Sequence, residues 1–290
     1  MPRQNVIAII LDCDDTLCGD TTTFLLKQQG IKVDAFWNNV DRMVKKGWYP
    51  PLAYMKRILD LNAKGKMKYS ITVEYLKSIG AKLKWYPGVP KFFRELSEYV
   101  ARDKLMDKDR VELEFYVISS GLEDVIRGSK IAQYLNGFCG CSFDVDSNGI
   151  IAFPRTIVTF TEKTKYVFAI NKGISFNDIR KDPYAVNDAI ENGKRRVPFS
   201  NMIYIGDGPS DIPCLSTIRT LGGKGVRVYS HGTIHKGYQL ARGSRTTVGP
   251  YVANYRHYSE LRTMLETMIR GIGVEIHRRT QESVIRSPHH

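Results

Sequence analysis

Residues 5–20 read NVIAIILDCDDTLCGD, and this stretch decides the fold of the chain. The run at 6–11 is continuously apolar and rich in β-branched residues, which is typical of a strand buried on both faces of a parallel sheet. It ends in three acids, Asp12, Asp14 and Asp15. Open α/β sheets bind ligands at the carboxyl ends of their strands. Carboxylates this close repel one another unless a cation neutralises them, so the stretch predicts a site for a hard metal ion such as Mg²⁺. The alternative is a strand followed by an Asp-rich turn, because Asp also favours turns.

The composition is that of an ordinary globular protein. The 290 residues are 42% hydrophobic and 25% charged, enough for one large core or two smaller ones. No run of about 18 apolar residues occurs, so we expect no membrane-spanning segment. The N-terminal apolar run leads into acids without a small-residue cleavage site, and the five cysteines show no disulfide framework. A reducing cytoplasm is therefore the expected location.

The chain is basic, with 43 Lys and Arg against 30 Asp and Glu and a net charge of +13. Much of the excess lies between Arg42 and Lys84, where aromatic residues are interleaved with the basic ones. This pattern fits a solvated helical surface whose aromatics point into the core. It also fits a surface that binds nucleic acid or another polyanion. We favour the solvated surface and keep nucleic-acid binding as the alternative.

Hydrophobic periodicity predicts a chain in which strands alternate with helices. Predicted helices lie near residues 21–29, 34–46, 51–63, 69–80, 89–100, 122–135, 162–171 and 257–271. Predicted strands follow the first one at 111–118, 201–205 and 225–229. Asn148-Gly149 between two β-prone stretches adds a hairpin.

This order of elements predicts an α/β fold with a doubly wound, Rossmann-like parallel sheet. The first four helices have no strand among them, so we predict a helical cap at residues 20–85. This cap would be inserted into a core formed by residues 1–19 and 86–270. The hairpin would be a small β insertion at about 138–160, and residues 271–290 a polar, basic tail.

Polar residues follow three of the predicted strands. These strands end at Asp12, at the run Ser119-Ser120-Gly121, and at Asp207 within Gly206-Asp207-Gly208-Pro209-Ser210-Asp211. In a parallel sheet such ends lie along one edge, so groups that are distant in sequence meet there. We therefore expect these residues to form one site.

In this order the residues resemble the four-motif signature of the haloacid dehalogenase-like hydrolase superfamily. The matching residues are Asp12-x-Asp14-x-Thr16, then Ser119, then a lysine, then Gly206-Asp207-Gly208-x-x-Asp211. The helical insertion after the first motif, the Ser-x-Gly ending and the GDGxxD sequence are similar to the phosphoserine-phosphatase-like branch. The resemblance runs from about residue 6 to 270.

The resemblance implies a reaction and a metal. Asp12 would be the nucleophile that forms an aspartyl-phosphate, and Asp14 would protonate the leaving alcohol and then deprotonate the attacking water. Mg²⁺ would be held by Asp12, the main-chain carbonyl of Asp14 and Asp207. Asp211 would orient that shell or bind the ion through water.

The resemblance also implies a phosphate-binding set. Ser119, with Ser120 and Gly121, would hold phosphoryl oxygens. A lysine would neutralise a phosphoryl oxygen and hold the nucleophile in place. Lys163 and Lys165 are both candidates, and we prefer Lys165 because it begins the apolar helical run that follows.

The sequence departs from phosphoserine phosphatases after the first motif. Those enzymes carry a Glu there that recognises the amino group of the substrate, whereas this chain has Cys-Gly-Asp-Thr-Thr at 18–22. Asp20 is the candidate substitute, and Arg57 is the candidate for binding a substrate carboxylate. The missing Glu argues against phosphoserine itself.

We therefore predict a Mg²⁺-dependent phosphomonoesterase that acts on a small phosphorylated metabolite. One alternative is a phosphatase that acts by the same chemistry on nucleotides or nucleic-acid ends, which the basic cap would bind. The others are a phosphotransferase and a non-catalytic binding protein with the same fold. The intact acids at the strand ends argue against the last of these.

Overall fold

The computed structural model describes residues 4–230 and 246–286, and its centre is a seven-stranded sheet. The strands are β1 (Val6–Leu11), β2 (Glu112–Leu122), β3 (Gly137–Val145), β4 (Ile151–Thr156), β5 (Met202–Gly206), β6 (Lys224–Tyr229) and β7 (Val248–Val252). Their order across the sheet is β4-β3-β2-β1-β5-β6-β7. All neighbouring strands are parallel except β3 and β4.

Helices connect the strands and flank the sheet. In chain order, those within the described ranges are α1 (Thr21–Gln28), α2 (Val33–Lys45), α3 (Pro50–Ala63), α4 (Val73–Ala81), α5 (Lys91–Arg102), α6 (Lys104–Lys108), α7 (Glu123–Arg127), α8 (Phe160–Lys172), α9 (Phe176–Lys181), α10 (Ile212–Thr220) and α11 (Glu260–Arg286). The α/β class and the mainly parallel sheet predicted from the sequence are confirmed.

Strand β1 lies at the centre of the sheet. All of its residues are buried, because helices cover both faces of the sheet. One group consists of α8 and α10, which pack on each other and on β2, β5 and β6. The other group consists of α5, α6 and α11, which pack together against β2 and β7. Leu11 lies opposite Val117 of β2 and Ile205 of β5. The chain therefore leaves β1 for β2 on one side and returns to its other side as β5, which is the arrangement that opens a ligand-binding crevice in α/β sheets.

Helices α1 to α4 occupy the stretch predicted as an inserted cap, and we call residues 20–85 the cap. Helix α4 packs against α7, and α3 packs against α2 and β4. The cap also bonds directly to the sheet, because the amide of Ile151 donates to the carbonyl of Ile71 at 3.0 Å. The cap is thus held over the carboxyl ends of the central strands.

The predicted hairpin is present, but its first strand also belongs to the main sheet. Strand β3 pairs in parallel with β2 and in antiparallel with β4, so the hairpin extends the main sheet. The helix predicted at 122–135 was too long, since β2 runs on to Leu122 and α7 ends at Arg127. A short 3₁₀ turn at Ala132–Tyr134 follows.

The prediction of a polar tail at 271–290 was wrong for the part that the structure describes. Helix α11 runs on to Arg286, and Ile272 and Ile276 are buried in the core. His277 Nδ1 lies 2.7 Å from a carboxylate oxygen of Asp109. Within the described ranges, no helix is both long and apolar enough to cross a bilayer.

Candidate active site

Asp12 is the first residue after β1 and is 5% exposed. Its backbone amide donates to the carbonyl of Ile205 at 2.9 Å, which continues the pairing of β1 with β5. One carboxylate oxygen accepts the amide of Cys13 at 2.8 Å, and the other lies 3.0 Å from the Nζ of Lys163. The end of the strand therefore holds this carboxylate in one orientation.

Lys163 is completely buried beneath the acids. Its Nζ lies 2.8 Å from a carboxylate oxygen of Asp211 and 3.4 Å from the hydroxyl of Ser210. Burial alone would lower the pKa of Lys163, but the carboxylates of Asp12 and Asp211 outweigh it, so the net shift is upward. Lys163 is thus a permanently charged group between two acids.

The sequence-based preference for Lys165 over Lys163 was wrong, because Lys163 is the lysine that lies beside Asp12. The ammonium of Lys165 pairs with Glu162, and it lies 5.2 Å from the centre of the Tyr166 ring rather than at the acids. Helical periodicity carries the signal that distinguishes the two lysines. Lys163 continues the buried face formed by Tyr166, Val167 and Ile170, whereas Lys165 lies outside it.

Asp207 and Asp211 follow β5 and have different surroundings. Asp207 lines the cavity described below and accepts a hydrogen bond from Thr16 Oγ1 at 3.4 Å. Asp211 is fully buried, and besides Lys163 it accepts the Tyr204 hydroxyl at 2.8 Å and the Gly208 amide at 3.1 Å. Both oxygens of Asp211 are therefore occupied by donors from the protein.

The donor set of this acidic cluster suits a hard divalent cation. Carboxylate oxygens of Asp12, Asp207 and Asp211 lie within 4.8 Å of one another. Burial, followed by the charge of Asp211, raises the pKa of Asp12 to about 7, and burial together with Asp211 and Asp12 raises that of Asp207 to about 9. When all three carboxyl groups are ionised, the cluster carries more negative charge than Lys163 balances. Asp12 and Asp207 face the cavity, while Asp211 lies behind them.

Asp14 also lines the cavity. One of its carboxylate oxygens accepts the amide of Thr21 at 2.7 Å. A Cβ added to Gly121 would stand 2.4 Å from the other oxygen, so only glycine leaves room for Asp14 there. Burial, and then the charges of Asp20 and Asp12, raise the pKa of Asp14 well above its usual value. These surroundings favour a carboxyl group that can hold a proton.

The run Ser119-Ser120-Gly121 reaches the same site from β2. The Ser119 hydroxyl is buried and accepts the amide of Gly121 at 2.9 Å, whereas Ser120 and Gly121 line the cavity. The carbonyl of Ser120 accepts the hydroxyl of Tyr54 at 2.9 Å, which ties this run to the cap.

The acids open into a cavity of about 780 Å³ between the cap and the sheet edge. Asp20 lines it, and its carboxylate also caps helix α1 by accepting the amide of Thr23. Arg57 does not line the cavity, and within the described residues its buried Nε has no hydrogen-bond partner. The structure therefore does not bring Arg57 to the site where a substrate carboxylate would be bound.

Several residues of the site were missed by the sequence reasoning. Arg227 on β6 is buried and donates to the carbonyl of Asp207. Trp37, Tyr49 and Phe160 line the cavity. They meet through tertiary packing of the cap on α8, and hydrophobic periodicity does not show which aromatics face a cavity rather than a core.

Comparison with known proteins gives a sequence relative and a set of structural neighbours. No family model matches the chain. An uncharacterized protein of Borreliella burgdorferi is 30% identical over 242 residues, which cover 76% of this chain and 80% of that protein.

The structural neighbours share the fold at low sequence identity. A HAD family hydrolase from Salmonella enterica serovar Typhi has a TM-score of 0.52 at 14% identity over 80% of this chain. The match covers 65% of that hydrolase, so this chain spans less than two thirds of its length. A phosphoserine phosphatase solved as a phospho-aspartyl intermediate analogue has a TM-score of 0.51 at 11% identity, over 90% of this chain and 98% of the other.

Proposed function

Because this chain belongs to the same family as the Borreliella burgdorferi protein and has the fold of haloacid dehalogenase-like hydrolases, we propose that it is a phosphomonoesterase with Asp12 as its nucleophile. The observation that carries the proposal is the setting of Asp12. One of its carboxylate oxygens lies 3.0 Å from the buried Lys163, and the residue also borders the open cavity. A carboxylate held in this way is ready to attack a phosphorus atom in the cavity.

The first step transfers the phosphoryl group to the protein. A carboxylate oxygen of Asp12 attacks phosphorus, and the bond from phosphorus to the ester oxygen breaks. Asp14, whose raised pKa favours a bound proton, gives that proton to the leaving oxygen. The products of this step are an alcohol and an aspartyl-phosphate on Asp12.

The second step regenerates the carboxylate. Asp14, now ionised, takes a proton from a water molecule as the water oxygen attacks phosphorus. The bond between phosphorus and Asp12 breaks, and inorganic phosphate leaves. Lys163 stays charged throughout and keeps the Asp12 carboxylate oriented between turnovers.

Mg²⁺ would be held by Asp12, the main-chain carbonyl of Asp14 and Asp207. When bound, it supplies positive charge that brings the phosphate dianion up to a carboxylate and keeps Asp12 ionised. Asp211 would act by holding Lys163 and the Gly208 turn rather than by binding the ion directly. Ser120 and Gly121, which line the cavity, would hold phosphoryl oxygens.

The test is phosphate release from an aryl phosphate by purified protein, with Mg²⁺ and with EDTA. We expect turnover with Mg²⁺, none with EDTA, and a loss of more than about a thousandfold in Asp12→Asn. Asp34→Asn, an exposed carboxylate on helix α2, is the matched control and should retain full activity. Circular dichroism checks the fold of each variant. Activity in folded Asp12→Asn within tenfold of wild type would refute the proposal.

A further inference from the structure

Two aromatic rings meet at the cavity, one from the cap and one from the core. Tyr49 precedes α3, and Phe160 begins α8, the helix that carries Lys163. Their ring centres are 5.7 Å apart and their planes are inclined by 25°, so the rings are stacked. Both residues line the cavity.

A second pair of rings lies within the cap. Trp37 on α2 and Tyr54 on α3 also line the cavity, with ring centres 6.4 Å apart. The indole N–H of Trp37 donates to Thr23 Oγ1 at 2.9 Å, and the Tyr54 hydroxyl donates to the Ser120 carbonyl at 2.9 Å. Because their polar atoms are engaged within the protein, these side chains offer a ligand mainly apolar ring surface.

Among the described residues, the charged side chains that line the cavity are all acidic. Asp20 and Asp41 line it on the cap side, in addition to the acids of the strand ends. Among the described residues that line it, none is Lys, Arg or His. A substrate with a negative charge besides its phosphate would bring that charge close to these acids, and no basic residue of the cavity wall would pair with it. Such a placement is unfavourable in a partly enclosed site.

From this lining we propose that the alcohol released from the phosphomonoester is aromatic or otherwise apolar and carries no negative charge of its own. The inference rests on the proposed phosphatase activity and adds the class of substrate to it. The cavity of about 780 Å³ is also within the range that holds drug-sized ligands, so a large ring system fits. A small zwitterion such as phosphoserine would leave most of the apolar surface uncovered.

The first test compares kcat/KM for four alkyl phosphate esters, whose leaving alcohols are of similar reactivity: benzyl phosphate, a nucleoside 5′-monophosphate, phosphoserine and ethyl phosphate. We expect the better of the two aromatic esters to exceed phosphoserine by about ten- to a hundredfold, the range that ring stacking supplies. A preference for the nucleotide would indicate a nucleoside in the cavity, and a preference for benzyl phosphate an alcohol that carries an aromatic ring. Either result supports the proposal.

The second test asks whether the rings cause the preference. Trp37→Ala and Tyr49→Ala should each lower the ratio of kcat/KM for the aromatic ester to that for ethyl phosphate by about tenfold. Trp48→Ala and Tyr69→Ala remove exposed cap aromatics that do not line the cavity, and they should leave the ratio unchanged.

The outcomes separate this inference from the proposed function. If phosphoserine is the preferred ester and Asp12→Asn abolishes its hydrolysis, the substrate class is wrong and the phosphatase stands. If Trp37→Ala and Tyr49→Ala leave the ratio unchanged, the aromatic lining does not select the substrate and the inference fails. If no ester releases phosphate in an Asp12-dependent way, the proposed function itself fails.

Discussion

Lys163 is the residue on which the arrangement of the acids depends. It is buried between Asp12 and Asp211, and through Asp211 it is connected to the Tyr204 hydroxyl and the Gly208 amide. An ion pair in this position is expensive to break, because the acids left behind remain buried. One lysine therefore supports both Asp12 and the turn that follows β5.

We predict that Lys163→Met lowers kcat on an aryl phosphate by more than about a hundredfold, because the Asp12 carboxylate loses the cation that orients it. It should also lower the free energy of unfolding by about 3–5 kcal/mol, the cost of removing one partner from a buried pair. Lys165→Met is the matched control, two residues along the same helix, and should keep both quantities near wild type. Steady-state kinetics and urea denaturation measure them. Equal losses in the two variants would contradict the assignment.

The strand-end residues could be predicted from the sequence, and helical periodicity distinguishes Lys163 from Lys165 where the start of an apolar run does not. Asp12, Ser119 and Asp207 follow apolar runs, and parallel pairing places such ends together whatever the details of packing. The start of the apolar run favours Lys165, but the buried face of the helix extends back to Lys163. The contact between Tyr49 and Phe160 joins residues over a hundred positions apart and has no local signal.

At the level of elements, the contact between α4 and α7 connects the cap to the carboxyl end of β2. It depends on two glycines, because a Cβ on Gly80 would stand 2.0 Å from the carbonyl oxygen of Val125, and one on Gly128 would stand 2.1 Å from that of Lys77. Helix α7 directly follows the run at 119–122. The position of the cap and the shape of this run are therefore coupled through backbone packing.

We predict that Gly80→Ala lowers the free energy of unfolding by about 1–3 kcal/mol, because the new methyl group forces the two backbones apart. Gly271→Ala is the control: Gly271 also lies within a helix, but nothing stands within 4 Å of an added Cβ. That variant should be as stable as wild type or more stable by up to about 1 kcal/mol, because alanine favours helix. Thermal and urea denaturation measure both variants. A neutral Gly80→Ala would show that the helices do not pack this closely.

Some element boundaries differ from prediction for reasons that are tertiary. Helix α11 continues past residue 271 because Ile272 and Ile276 pack into the core, although the surrounding sequence is polar and basic. Strand β2 continues to Leu122 because β3 pairs beside it. In both cases the element is extended by contacts with a neighbouring element, and the local sequence pattern carries no information about those contacts.

At the level of the whole molecule, a chain with a net charge of +13 gathers acids around one cavity. Folding brings Asp12 and Asp207 together with Asp211 and raises the pKa of Asp12 to about 7 and that of Asp207 to about 9, mainly through burial. Above the ordinary carboxyl pKa, the folded protein without metal holds protons that the unfolded chain has lost. These two groups therefore make the free energy of unfolding fall as pH rises from about 4 to about 9.

We predict that without metal Asp207→Asn is more stable than wild type, and that the difference grows between pH 5 and pH 8, because the variant no longer buries this carboxylate. Mg²⁺ should reverse the order at pH 8 by stabilising wild type by about 2.7 kcal/mol at a hundredfold excess over its Kd, with little effect on the variant. Thermal denaturation at both pH values, in EDTA and in Mg²⁺, measures this. An equal response of both proteins to Mg²⁺ would place the ion elsewhere.

The most direct test of the account is to trap the phosphoryl group on the protein. Asp14→Asn, given an aryl phosphate and Mg²⁺ and then quenched with acid, should gain the mass of one phosphoryl group, because a good leaving group departs without an acid while hydrolysis lacks its base. Peptide mapping by mass spectrometry should place that group on Asp12, and Asp12→Asn should gain none. A phosphoryl group on another residue, or turnover by Asp14→Asn with unmodified protein throughout, would contradict nucleophilic attack by Asp12.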